Sequence, residues 1–230
     1  MTKTFFLGLL GLLCLFGCTK QSAPAPDSAP SGISPPAGAQ TKRSLPKIVA
    51  FGDSLTAGLG LSANDAYPAL LQQLLKRDGY EYEVVNSGVS GDTSAGGVRR
   101  IDWALDGGDG EVHFLILELG ANDFLRGQPI GETRRNLAAI IDRAQGKNTK
   151  VLLAGMLAPT NAGREYQEQI RNMFLDLARE KNVTLIPFFL ESVAGREGLN
   201  QPDGIHPNAA GTKLVAETVY KHLKPMLDQK

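Results

Sequence analysis

Residues 47–58 read Lys47-Ile48-Val49-Ala50-Phe51-Gly52-Asp53-Ser54-Leu55-Thr56-Ala57-Gly58. Ile48 to Phe51 is a short apolar run, the pattern of a strand buried on both faces of a sheet. It ends at Gly52-Asp53-Ser54, where glycine permits a tight turn and a short polar side chain caps the next element. Such a turn holds a hydroxyl at the carboxyl edge of the sheet, where open α/β sheets take their ligands. Ser54 is therefore a candidate nucleophile. Taken alone, Gly-Asp-Ser favours the plainer reading of a turn cap, and the rest of the chain decides between the two.

Downstream, four more apolar runs follow: Tyr82–Val85, Phe114–Leu119, Val151–Met156 and Val183–Pro187. Rich in Val, Ile and Leu with little polar alternation, they are expected to be buried parallel strands. Between them, helical faces are formed by Leu70, Leu71, Leu74 and Leu75, by Leu137, Ile140, Ile141 and Ala144, and by Ile170, Phe174, Leu177 and Ala178. Leu214, Val215, Thr218 and Val219 mark a last one. Ser94 to Leu105 reads as a weaker helix, because Gly96 and Gly97 count against it. Strand–helix alternation with right-handed crossovers predicts a three-layer α/β/α sandwich around a five-stranded parallel sheet. Periodicity leaves the strand order open. The domain is expected over residues 47–230.

Upstream, Lys3 supplies a positive n-region and Phe5 to Phe16 an apolar h-region, the pattern of an export signal over residues 1–17. Leu15-Phe16-Gly17-Cys18 resembles a bacterial lipobox, with Cys18 as the lipidated residue. Cleavage elsewhere, giving a soluble secreted protein, is the alternative. Thr19 rather than aspartate follows Cys18, which by resemblance to bacterial lipoproteins favours the outer membrane over retention at the inner one. The expected location is thus lipid-anchored on the periplasmic side of a bacterial membrane. Residues 18–46 then form a tether rich in Ser, Ala, Pro and Gly, too poor in large apolar residues to bury a core. Cys14 falls in the cleaved segment, so the domain must hold together without disulfides. Formal net charge is zero with Lys and Arg scattered, and no basic or aromatic–basic stripe suggests a nucleic-acid partner.

Polar residues gather where the apolar runs end. Gly52-Asp53-Ser54 follows the first, Asn86 to Thr93 the second, and Gly120-Ala121-Asn122-Asp123 the third. Asp203-Gly204-Ile205-His206-Pro207-Asn208 precedes the final helix. Parallel strands open their carboxyl ends on one edge, so four distant loops can meet over one pocket. Each brings a group that acyl transfer needs. Serine is a weak nucleophile and requires an adjacent base. His206 can take its proton, and Asp203 can hold the imidazole tautomer and stabilise its cation. The backbone N–H groups of Ser54 and Gly91 and the side-chain amide of Asn122 are the candidate donors to a developing oxyanion.

Gly52-Asp53-Ser54-Leu55, Gly91, Gly120-Ala121-Asn122-Asp123 and Asp203-x-x-His206 match in order the four blocks of the SGNH (GDSL) hydrolases, and the chain resembles that family over 47–228. Ser54, Gly91, Asn122 and His206 stand where the family's four namesake residues stand. Ser90 to Ser94, Asn122 to Gly127, Pro187 to Phe189 and Asp203 to Asn208 look like the bacterial periplasmic multifunctional thioesterase/lysophospholipase/arylesterase subgroup. The resemblance implies a flavodoxin-like sheet, a shallow exposed site and ester and thioester hydrolysis without metal or other cofactor. The loop 157–163 keeps Pro159, Asn161 and Gly163 but lacks the larger polar or aromatic residues associated with that subgroup, so it leaves acyl chain length open.

Other chemistries fit less well. Three dispersed histidines and no thiol in the domain give no metal-ligand spacing, and Asp53, Asp92 and Asp123 are expected to bond loop backbones. His113 and His222 read as structural or surface residues. Gly58-Leu59-Gly60-Leu61-Ser62-Ala63 fits a loose dinucleotide fingerprint but begins seven residues beyond the strand end at Phe51. The expected substrate is a small acyl ester or thioester, the expected state a monomer. Carbohydrate O-deacetylation is the rival activity, disfavoured because the single Trp103 falls on a helix without an evident aromatic partner. A ligand-binding lipoprotein with a vestigial site is the non-enzymatic rival.

Overall fold

In the computed structural model, which describes residues 44–158 and 160–229, the opening stretch forms strand β1 (Lys47–Gly52) and the one-turn helix α1 (Ser54–Ala57). The export signal, Cys18 and all but the last residues of the tether lie outside the described residues. Four further strands are β2 (Glu83–Gly88), β3 (Val112–Glu118), β4 (Lys150–Ala154) and β5 (Thr184–Ile186). All pair in parallel, in the order β2-β1-β3-β4-β5. That is the flavodoxin-like order, whose topological switch point lies between β1 and β3. Ser54 follows one of those strands and Asn122 the other.

Burial on both faces holds for the inner strands and fails at the edges. Every residue of β1 is buried, whereas β2 alternates between exposed and half-buried positions with only Ser87 buried. An edge strand has one neighbour and tolerates polar side chains. This is why β2 runs past Val85 through Asn86, Ser87 and Gly88, which stay in register with Ala50, Phe51 and Gly52. At the other edge, β5 keeps three of the five predicted residues, and Pro187 has no N–H to extend it. β4 likewise stops at Ala154 and does not reach Met156.

Helix α2 (Tyr67–Arg77) packs against α7 (Ala209–Leu227), while α3 (Ser94–Ala104) packs against α5 (Ile130–Gly146) and α5 against α6 (Arg164–Lys181). Leu71, Leu75, Leu137, Ile140, Ile141, Ala144, Ile170 and Leu177 are completely buried, as their spacing predicts. Leu70, Leu74 and Leu214 are half-buried at the margins. The glycines that weaken α3 in sequence are what seats it. A Cβ at Gly97 would lie 2.5 Å from Leu119 Cδ1, and one at Gly96 would lie 1.6 Å from Asp92 Oδ1. Helix propensity yields here to close approach between helix and sheet.

Candidate active site

Asp53 ends the turn after β1 with 1 % of its surface exposed. Its Oδ1 accepts the Leu55 N–H at 3.0 Å and caps α1, and its Oδ2 accepts from Asn122 Nδ2 at 2.9 Å. Its own N–H donates to Glu118 Oε2 at 3.2 Å, which also accepts from Thr56 Oγ1 at 2.7 Å. Glu118 is the last residue of β3 and is wholly buried. Gly52 makes room for it, since a Cβ there would lie 2.4 Å from Glu118 Oε2. Burial raises both carboxyls, Glu118 well above its ordinary value, with the neighbouring Asp53 charge adding to the effect. The pair therefore favours one negative charge, on Asp53, where Leu55 and Asn122 donate to it.

The other side is a loop between β5 and α7 that closes on itself. The Gln201 N–H donates to the His206 carbonyl at 2.7 Å, Asn200 bridges Pro207, and Gly204 turns the chain with φ +74°. Asp203 Oδ1 accepts the N–H groups of Ile205 and His206, each at 3.0 Å. Asp203 Oδ2 lies 2.7 Å from His206 Nδ1. The backbone and side chain of His206, with the Ile205 N–H, hold the Asp203 carboxyl down to about 2. An acceptor on Nδ1 keeps the proton there, leaving Nε2 to accept from the Ser54 hydroxyl 2.8 Å away. Gln201 Nε2 donates to the Leu59 carbonyl at 2.7 Å and fastens this loop to the one after α1.

Gly91 stands in the loop after β2 with φ +78°, a conformation that favours glycine. Its carbonyl accepts from Arg126 Nη2 at 2.8 Å. Arg126 caps α4 (Ala121–Leu125), so the Gly91 loop is tied to the helix that carries Asn122. Ser54 opens α1, where a first-turn N–H has no acceptor within the helix.

The other two aspartates bond backbones as expected, Asp92 to the Thr93 N–H and Asp123 to the Ser94 N–H, and each also takes side-chain partners. Asp123 accepts from Ser94 Oγ and Thr133 Oγ1, and Asp92 pairs with Arg100 at 2.7 Å. They do not converge with Asp53, and among the described residues no group of three His, Cys, Asp or Glu could hold a metal ion.

A small, shallow cleft is lined by Ser54, Leu55, Leu59, Leu61, His206 and Thr212. Leu59 and Leu157, on loops, and Leu125, at the end of α4, are exposed at the same sheet edge. A larger hollow, lined by Asn148, Lys150, Asn182 and Thr184 among others, lies at the opposite edge, away from any nucleophile–base pair. His113 packs edge-on against Tyr82, and His222 donates from Nδ1 to the Thr218 carbonyl.

Three supporting residues escape a reading by motif. Glu118 had one signal, an acid near the end of the apolar run Phe114–Leu119, a place where acids are rare unless partnered. Gln201 had none. Arg100, on the helix that its glycines obscured, donates to the carbonyls of Ser87 (2.7 Å) and Gly52 (2.8 Å) and stacks 3.8 Å over the Phe51 ring. It thereby clamps the ends of β1 and β2.

The model of the GDSL-like Lipase/Acylhydrolase family matches residues 50–214. Esterase TesA of Pseudomonas aeruginosa is 41% identical over 180 residues, covering 78% of this chain and 89% of that protein. The thioesterase 1/protease 1/lysophospholipase L1 of Escherichia coli K12 is 36% identical over 181 residues, covering 79% and 85%. A crystal structure of TesA matches with a TM-score of 0.75 at 40% identity, covering 78% of this chain and 99% of that one. With its Ser54, Asn122 and His206 loops gathered at one sheet edge, the chain belongs to the GDSL-like lipase/acylhydrolase family, the SGNH hydrolases.

Proposed function

We propose that the chain is a serine esterase that hydrolyses carboxylic esters and thioesters through an acyl-enzyme. The unbroken run from Asp203 through His206 to Ser54, with steps of 2.7 and 2.8 Å, carries this reading. Ser54 Oγ attacks the carbonyl carbon as His206 Nε2 takes its proton, and Asp203 steadies the imidazolium. The N–H groups of Ser54 and Gly91 and the Asn122 amide receive the oxyanion. Collapse expels the alcohol or thiol, which takes the proton from His206. Water then attacks the acyl group, giving its proton to His206, and the acid leaves as Ser54 regains a proton.

The names of the relatives, esterase and thioesterase/lysophospholipase, support oxygen and sulfur esters alike. Exposed leucines on the rim favour an acyl chain over a sugar. Trp103, 77 % exposed, sits near the far end of α3 from the site. The test is p-nitrophenyl butyrate hydrolysis and organophosphonate labelling, both expected to vanish in Ser54→Ala; retention of either refutes Ser54 as nucleophile. Across a panel of esters, matched thioesters and acetylated glycans, a strict preference for acetylated glycan would replace this reading with O-deacetylation.

The leader motif supports a lipid on Cys18 and display on the periplasmic side of a bacterial membrane, the outer one by the rule of Thr19. A lipidated protein stays with membranes through a salt wash, and Cys18→Ala should be released. Equal retention of the two would remove the anchor from this proposal.

A further inference from the structure

A primary amide has two unlike ends, an NH₂ that donates and an oxygen that accepts. Turning it over exchanges the ends with little change of shape. At Asn122 only one orientation serves an oxyanion; the other offers it a repelling carbonyl oxygen. We infer that Asp53 is a positioning residue that fixes which end of the Asn122 amide faces the site. This rests on Asn122 being an oxyanion donor, as proposed above.

An ionised carboxylate only accepts, and Asp53 Oδ2 lies 2.9 Å from Asn122 Nδ2. The nitrogen end must therefore turn toward Asp53, and its second N–H is left for the pocket. Reversed, the amide would set its oxygen against the carboxylate at the same short distance. Asp53 is itself held from two sides, by the Leu55 N–H on Oδ1 and by Glu118 Oε2 on its own N–H. Glu118 is in turn held by Thr56 Oγ1 at 2.7 Å. Burial pushes Glu118 toward its neutral form, which spares Asp53 a second negative charge beside it. The aspartate before the nucleophile thus acts on the reaction through Asn122, without touching the substrate.

Asp53→Asn keeps the size of the side chain and an oxygen for the Leu55 N–H, yet lets either end of Asn122 face it. The expected loss is on the order of 10–100-fold in kcat, short of losing the whole donor, with KM unchanged. A kinetic cycle of Asp53→Asn, Asn122→Ala and the double variant decides the matter. If Asp53 acts through Asn122, its substitution costs little once residue 122 is alanine. Losses that simply multiply, or a raised KM with kcat intact, overturn the inference. A fully active Ser54→Ala would instead overturn the site itself, so the two failures are distinguishable.

Should Asp53→Asn not fold, Asp53→Ser, which retains a capping oxygen, takes its place in the cycle. The wild-type enzyme supplies an independent readout by NMR. The Asn122 side-chain amide, assigned by its disappearance in Asn122→Ala, should show one proton protected from exchange and one not. Two equally rapid protons overturn the clamp.

Discussion

The His206 loop and the Ser54 turn meet at one 2.8 Å hydrogen bond, yet they are built from different materials. Asp203 and His206 are three residues apart, and their loop closes through bonds among residues 199–208. The Ser54 turn rests instead on Glu118 and Asn122, whose bonds to it span 62 to 69 positions. One support is local and half in water. The other is buried and assembled only when β1 and β3 pair. A local loop can be specified by a short motif, whereas a buried support is specified by packing and must manage its own charge.

Cutting the junction gives the largest expected effect. If His206 is the base as proposed, His206→Ala should lower kcat for p-nitrophenyl butyrate by roughly 10⁴–10⁶. Asp203→Asn should be damaging but leave measurable activity, because it disturbs the imidazole tautomer without deleting the base. A loss under tenfold in His206→Ala would mean that the local loop is not the base at all.

On the buried side, Asn122→Ala leaves Ser54 and His206 in place and, on the proposed mechanism, removes one oxyanion donor. It should cost on the order of 10²–10³ in kcat with little change in KM. A raised KM with intact kcat would make Asn122 a ground-state contact and dissolve the functional half of the contrast.

The two supports should also answer pH with opposite signs. Asp203 lies below its ordinary 3.8, so its contribution to stability is present above that value and is lost as pH falls toward about 2. Glu118 lies well above its ordinary 4.5, so its contribution is complete below 4.5 and is lost as pH rises to and through the folded value. Glu118→Gln imitates the protonated acid. As pH rises above about 5 it should lose less stability than wild type, with slopes differing by at most about 1.4 kcal/mol per pH unit. Parallel denaturation curves at all pH values would show that Glu118 is ionised in the folded protein.

The same contrast governs what could be read before the structure. Ser54, Asn122, Asp203 and His206 announce themselves because turns and short loops demand particular residues at particular spacings. The inner strands do so because burial on both faces leaves only apolar residues. Glu118 is hidden because one acid in a run of Phe, Leu and Ile carries no spacing signal; its partners Thr56 and Asp53 lie on another strand's turn. The extension of β2 beyond Val85 is hidden for a related reason: being an edge strand is a property of the sheet and not of the segment. Gly96 and Gly97 weigh against a helix by propensity, and only contact with Leu119 and Asp92 explains why the helix needs them.

The smallest effect is expected where the two supports are stitched together. Leu59 lines the cleft with a side chain 46 % exposed, while its carbonyl receives Gln201 Nε2 from the His206 loop. Side chain and backbone thus have separate duties, and Leu59→Ala removes only the first. Stability should move little, since the leucine is half in water. An acyl chain long enough to lie on Leu59 loses apolar contact at ~0.8 kcal/mol per buried CH₂, which is a few-fold in kcat/KM. An acetyl group is too short to feel the change. The variant should therefore flatten the preference for medium chains while leaving p-nitrophenyl acetate untouched. If acetyl and medium-chain esters fell together, the substitution would have loosened the stitch to Gln201, and the groove would have to be sought around Leu125 or Leu157.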